Sequence, residues 1–345
     1  MGDVKEFLLK CMKIESTTGN EGAYASFIAS ALKSAGWTVE EQPIAGQEHR
    51  KNVLATRGWD REDIRLVLNT HLDTVPPYIP PSEDGVKIYG RGCNDAKGQM
   101  AAMIFAANRI VERNPKLADQ IGLLFVVGEE LDHIGMKEAN KLKLSPEFLI
   151  VGEPTDNRFA TIQKGAYKVH IRTSGKAGHS GYPHTGSSAI HKLVDVLHDI
   201  SEHDWPKSEV HGDTTYNMGF INGGHALNAW AEKAEASIFF RITTSVEDVR
   251  ARLVKIVAGR AEIDNALGGN DPVLLSKTPF EAPTIAASFN TDLSYFDGLA
   301  KLKGVYLFGG GSITNAHSDN EFIVKSDLAA AVDTYEQLIS ALLTQ

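Results

Sequence analysis

The sequence predicts an α/β protein with a largely parallel sheet, interrupted by an inserted α+β unit of ferredoxin-like order. Three observations predict it. Segments 65–70 (RLVLNT), 121–127 (IGLLFVV) and 148–151 (FLIV) are nearly unbroken apolar runs, as strands covered on both faces require. Helical patterns alternate with them, which indicates a parallel sheet. From residue 168 onward, in the middle of the chain, the order changes to strand, helix, strand, strand, helix, the order of a split βαβ unit.

Each element has its own signal. Asn20 is placed to cap a helix with Tyr24, Phe27, Ile28 and Leu32 on one face, and Gly36 ends it. Residues 97–111 form a helix rich in Ala, Met and Ile. In the middle, 168–173 reads as a short strand, 187–201 as an amphipathic helix, and 214–221 and 234–242 as strands, the second alternating. Ser245, with Asp248 at the third helical position, opens the next helix with a variant of the capping box. The chain then returns to helix, strand and helix, ending in an amphipathic helix over 325–343. The simplest reading is one α/β domain interrupted by an inserted unit.

Bulk properties exclude some functions. At 345 residues the chain is long enough for two domains. A net charge of −9 argues against nucleic acid as a partner, because such proteins present a basic face. No apolar run approaches membrane-spanning length, and the first residues lack a signal-peptide pattern. Two cysteines, Cys11 and Cys93, make neither a disulfide framework nor a cysteine zinc site. The expectation is a cytoplasmic protein without a membrane partner.

Chemistry-bearing residues gather after the apolar runs, where ligands bind in open α/β sheets. His71-Leu72-Asp73 follows RLVLNT. Asp95 lies just before a helix. Glu129-Glu130 follows IGLLFVV, Glu153 follows FLIV, and His317 follows the strand 305–308 and a Gly-rich loop. So many carboxylates in one cleft repel one another and lose hydration. Two divalent ions ~3.5–4 Å apart relieve both costs. Imidazole and carboxylate ligands suit Zn2+, and less selectively Co2+ or Mn2+. Asp95 is best placed to bridge, with His71 and Glu153 on one ion and Glu130 and His317 on the other. Asp73, two residues from His71 on an extended segment, is placed to orient that imidazole. Glu129 is the natural general base for the attacking water.

These motifs resemble the di-zinc aminoacylase and carboxypeptidase family, which includes acetylornithine deacetylase, succinyl-diaminopimelate desuccinylase and glutamate carboxypeptidase. They are His71-Leu72-Asp73-Thr74-Val75-Pro76, Tyr89-Gly90-Arg91-Gly92 with Asp95-Ala96-Lys97-Gly98, Gly128-Glu129-Glu130, Gly152-Glu153-Pro154-Thr155 and Ala316-His317. The resemblance covers essentially the whole chain. It implies metal ligands His71, Asp95, Glu130, Glu153 and His317, with Asp73 orienting and Glu129 as base. It further implies a catalytic domain of residues 1–161 and 271–345 and an inserted lid of residues 162–270 that mediates homodimerisation. By resemblance, His179 in Gly178-His179-Ser180-Gly181-Tyr182-Pro183 polarises the scissile carbonyl. Asn228 and Arg241 resemble positions that hold substrate, a guanidinium suiting an α-carboxylate. Gly310 and Gly311, in Gly309-Gly310-Gly311-Ser312, resemble a loop whose N–H groups bind the same carboxylate.

The implied activity is hydrolysis of an amide bond in a small N-acyl amino acid or dipeptide. Gly152-Glu153-Pro154-Thr155 resembles the deacetylase and desuccinylase branch, which puts acetylornithine deacetylation first and a carboxypeptidase, dipeptidase or succinyl-diaminopimelate desuccinylase second. A non-catalytic metal-binding module on the same fold is the rival class. A nucleotide enzyme fails on pattern, since Gly309 to Ser312 lacks a following Lys-Ser/Thr. Cys93 reads as a small buried residue, and His184, His191 and His198 as surface or interface residues.

Overall fold

Four strands, three of them made from the apolar runs, lie side by side in one six-stranded sheet, with Gly304–Phe308 at its edge, in a computed structural model that describes residues 2–58 and 61–344. Leu66–His71, Ile121–Val126, Phe148–Gly152 and Gly304–Phe308 are buried along their whole length and mutually parallel. An antiparallel hairpin, Thr38–Ile44 with Gln47–Thr56, completes the sheet beside Ile121–Val126. No apolar run marks this hairpin in the sequence, because its first strand and the start of its second are polar and half-exposed. The Lys97–Arg113 helix packs on the parallel strands and on the C-terminal Lys325–Leu343 helix. Met100, Met103, Ile104, Val332, Tyr335 and Ile339 share one core with the sheet.

The Gly22–Ser34 helix differs from expectation at its start and matches at its end. Its N-cap position is Glu21, with no side-chain cap. The Glu21 carboxylate instead accepts from the buried Arg50 guanidinium at 2.6 and 2.8 Å, and Asn20 lies outside, bonded through its N–H to the Thr17 carbonyl. At the other end Gly36 adopts φ +83°. Trp37 N–H reaches the Leu32 carbonyl and Gly36 N–H the Lys33 carbonyl, both at 3.0 Å, which is the Schellman arrangement.

The chain forms two compact units, Met1–Thr161 with Leu275–Ile285 and Thr291–Gln345, and Ile162–Leu274 with Ala286–Asn290. The inserted unit therefore extends beyond residue 270. Val273–Leu274 continues as a strand paired with Gln163 and Ile162, and Ala287 and Asn290 bond to Lys164 and Gln163. Its sheet runs Thr215–Gly223, Lys233–Ile242, Gly165–Ser174, Glu262–Asp264, all antiparallel. This is ferredoxin-like order. The Ala189–Glu202 and Val246–Val257 helices bury Leu193, Val196, Val249 and Leu253 with Val169, Ile171, Ile238 and Phe240. Ser245 caps its helix through the Asp248 N–H at 3.1 Å, but the reciprocal bond is missing. The Asp248 carboxylate is held by Thr244 and Arg252 instead. Among the described residues no helix is long and apolar enough to cross a membrane.

Candidate metal centre

The parallel strands bring their acidic and imidazole residues to one edge. His71 closes its strand, in register with Val126, and Thr70 ties that end to Gly152 by a 2.8 Å bond. Asp95 then stands between two imidazoles. Its Oδ1 lies 3.0 Å from His71 Nε2 and its Oδ2 lies 3.2 Å from His317 Nε2. Glu153 approaches His71 Nε2 at 3.6 Å, and Glu130 approaches His317 Nε2 at 3.0 Å. The donor atoms of His71, Asp95 and Glu130 all lie within 4.8 Å of one another, as do those of His71, Glu129 and Glu153. Glu129 thus sits among the metal-type donors as well as Glu130. The five sequence-selected ligand residues converge on this site, and His317 holds a left-handed backbone, φ +63°.

Asp73 is wholly buried beside this cluster. The nearest oxygen to His71 Nδ1 is the Asp73 carbonyl at 2.9 Å, and the Asp73 carboxylate stands at 3.5 Å. The main-chain oxygen therefore makes the closer orienting contact. The carboxylate accepts from Thr18 Oγ1 and from the N–H groups of Glu129 and Glu130. It fixes the turn that carries both glutamates.

The charge balance calls for cations. Burial pushes the Glu153 carboxyl up to about 8 despite the attraction of His71. Burial also raises Glu129 well above the usual carboxylate range, with Glu153 repulsion adding to it, and raises Glu130 together with Asp95 repulsion. Burial opposes ionisation of Asp95 too, but hydrogen bonds from His317 and His71 hold it well below that range. Burial disfavours a charged His71, yet Glu153 and the bonds to Asp73 and Asp95 carry its pKa well above the ordinary value. Bonds to Asp95 and Glu130 raise His317 to about 10. Four acids thus compete for two imidazoles. A donor set of this composition, half of it deeply buried, fits divalent ions of the zinc class.

The supporting residues escaped sequence reasoning. Buried Glu321 accepts from the N–H groups of Gly92, Asn94 and Asp95 at 3.0–3.1 Å and from Arg91 at 2.8 Å. It clamps the Asp95 loop to the segment after His317. Asn94 bonds the Ser312 carbonyl at 2.7 Å. Gln99, near the start of the Lys97–Arg113 helix, bonds both the N–H and the carbonyl of Gly310. The Gly310 N–H, expected by resemblance to meet a substrate carboxylate, donates to Gln99 Oε1 at 3.0 Å. Gly311, φ +75°, is required for close approach, since a Cβ there would stand 2.0 Å from Asn94 Oδ1. Cys93 is buried.

In the second unit, His179 is exposed, and its Nδ1 accepts the Gly181 N–H at 3.1 Å. That bond leaves the ring proton on Nε2, so the imidazole presents a donor. The Ser180 N–H donates to the Asn228 carbonyl, and His179 bridges Ala229, so His179 and Asn228 belong to one pair of loops. Arg241 lies over the Phe239 ring at 4.2 Å, on the strand face opposite buried Phe240. His184, His191 and His198 are exposed.

Paired acid–imidazole triads joined by a shared carboxylate, with a further, partly buried glutamate alongside, form the donor set of a two-metal hydrolase. The chain belongs to peptidase family M20/M25/M40, whose family model matches residues 67–341. A peptidase M20 domain-containing protein of Schizosaccharomyces pombe is 38% identical over 330 residues, covering 95% of this chain and 82% of its own. A probable carboxypeptidase of Aspergillus niger is 35% identical over 370 residues, covering 96% and 87%. Among solved structures, a tripeptidase from Staphylococcus aureus matches with a TM-score of 0.80 at 22% identity, covering 99% and 98%. A dinuclear metal binding peptidase of the M20 family from Bacillus subtilis matches at 0.69 and 13%, covering 99% and 98%. These two likenesses concern the fold.

Proposed function

We propose that this protein is a two-metal peptidase that cleaves the amide bond next to a free α-carboxylate in short peptides. The observation that carries this is Asp95, whose two oxygens each meet a different imidazole. His71 and Glu153 would hold one ion, His317 and Glu130 the other, with Asp95 between them. Zinc suits this set, with Co2+ or Mn2+ as substitutes. The ions supply Lewis acidity toward the scissile carbonyl and make water more acidic. Glu129 takes the proton from the attacking water and delivers it to the leaving amine. His179 offers its Nε2–H to the developing oxyanion, and Arg241 and Asn228 hold the substrate carboxylate.

A peptide substrate is favoured over an N-acyl amino acid because a relative sharing 35% identity across 96% of this chain is named a probable carboxypeptidase. The deacylase reading, with N-acetylornithine as substrate, keeps the support of the Gly152–Thr155 motif. Homodimerisation through the inserted unit has its own support. Among the described residues, the Thr215–Gly223 strand pairs only with Lys233–Ile242 and carries Phe220 and Ile221 at 76% and 63% exposure. Two free, buried cysteines support a reducing, cytoplasmic setting.

The test is an assay of zinc-loaded protein against a dipeptide panel, N-acetylornithine and N-succinyl-diaminopimelate, with metal counted by elemental analysis. Two metals per chain and fastest turnover of a dipeptide are expected. Fastest turnover of N-acetylornithine selects the deacylase reading, and two metals without any hydrolysis overturns both.

A further inference from the structure

One imidazole outside the ligand set stands against the centre. His133 lies four residues beyond Glu129 on the same turn, which its N–H closes by donating to the Gly128 carbonyl at 2.7 Å. Its Nδ1 is 3.0 Å from Asp292 Oδ1 and 3.9 Å from Glu129 Oε1. Asp292 is almost wholly buried. The ring stacks on Tyr295 with centroids 4.0 Å apart and planes 18° apart, and Lys137 lies over the Tyr295 ring at 4.9 Å. The backbone of His133 is left-handed, φ 56° and ψ 29°, a region that non-glycine residues seldom occupy. Such conformations persist where the surroundings fix them and concentrate at functional sites.

We propose that His133 is a positioning residue for Glu129, held in place by Asp292 and Tyr295. Two carboxylates near one ring, one of them buried, repel each other unless a proton-bearing nitrogen faces both, and Nδ1–H is that group. Asp292 accepts the hydrogen bond and fixes the ring, while the base feels the same N–H at a longer distance. A contact at 3.9 Å is too long for a hydrogen bond. It therefore restrains the Glu129 carboxylate without occupying the lone pair that must receive a proton. Tyr295 blocks rotation of the ring out of this plane.

The role rests on Glu129 being the base, so the experiment separates the two. Zinc-loaded His133→Gly, His133→Asn, Asp292→Asn and Glu129→Gln variants are compared on the best substrate of the panel, with metal content and thermal unfolding measured in parallel. His133→Gly is expected to lower kcat by about 10²-fold, the scale of a 1 Å misplacement, with KM and metal content unchanged. His133→Asn tolerates the left-handed backbone, keeps a donor and restores most of the rate. Asp292→Asn lowers kcat like His133→Gly, and it tests the pair even if the turn variants do not fold. Wild-type kcat in His133→Gly or Asp292→Asn overturns the proposal, as does loss of metal, or a rise in KM with kcat unchanged. A folded His133→Asn as slow as His133→Gly also overturns it. An active Glu129→Gln overturns the base assignment itself.

Discussion

Glu129 and Glu130 are neighbours with different partners. Glu130 meets His317 at 3.0 Å, whereas Glu129 faces His133 and lies with His71 and Glu153. Their substitutions should therefore separate. Glu129→Gln is expected to keep both metals and lose turnover by roughly 10²- to 10⁴-fold, while Glu130→Gln lowers metal content, both read by elemental analysis beside a rate assay. These acids were legible in the sequence because each follows an apolar run that could only be a buried strand. Glu321, Asn94 and Gln99 were not, because their partners lie up to 230 residues away along the chain and no local spacing reveals that. Cys11 gives a separate prediction. Burial pushes its thiol up to about 12 from an ordinary 9.0. A folded pKa above the unfolded one contributes stability that is present below pH 9 and lost as pH rises toward 12. Thermal melts should fall over that window, and less so in Cys11→Ala.

The loops between strands and helices were harder to read than the strands themselves. The parallel strands appear within a residue of their apolar runs, and the Lys325–Leu343 helix has the predicted bounds. The Gly309–Gly311 loop resembled a carboxylate cradle, yet its glycines serve close packing against Gln99 and Asn94. Gly311→Ala forces a Cβ to 2.0 Å from Asn94 Oδ1 at a left-handed φ. It should cost about 1–3 kcal/mol by overpacking, measured by denaturant unfolding, and should weaken metal binding because the Asp95 and His317 loops move apart. Unchanged stability would show that the loop yields freely. The hairpin of residues 38–56 was illegible for a different reason: an edge strand needs no apolar face.

Across the whole chain, the inserted unit carries the apolar edge. Replacing Phe220 and Ile221 by Asp puts charge on an exposed strand and should convert a homodimer into monomers, seen by light scattering, with the secondary structure intact. A wild-type monomer in solution would remove that reading. The edge strand Gly304–Phe308 and His317 come after the inserted unit, while His71, Asp95, Glu130 and Glu153 come before it. During translation, domains fold as units as they emerge, so the nearly contiguous insert has its whole sheet available before the first unit has its last strand. A nascent chain consequently offers four of the five ligands with no final imidazole, and full capture of metal must wait until the ribosome has delivered the far end of the protein.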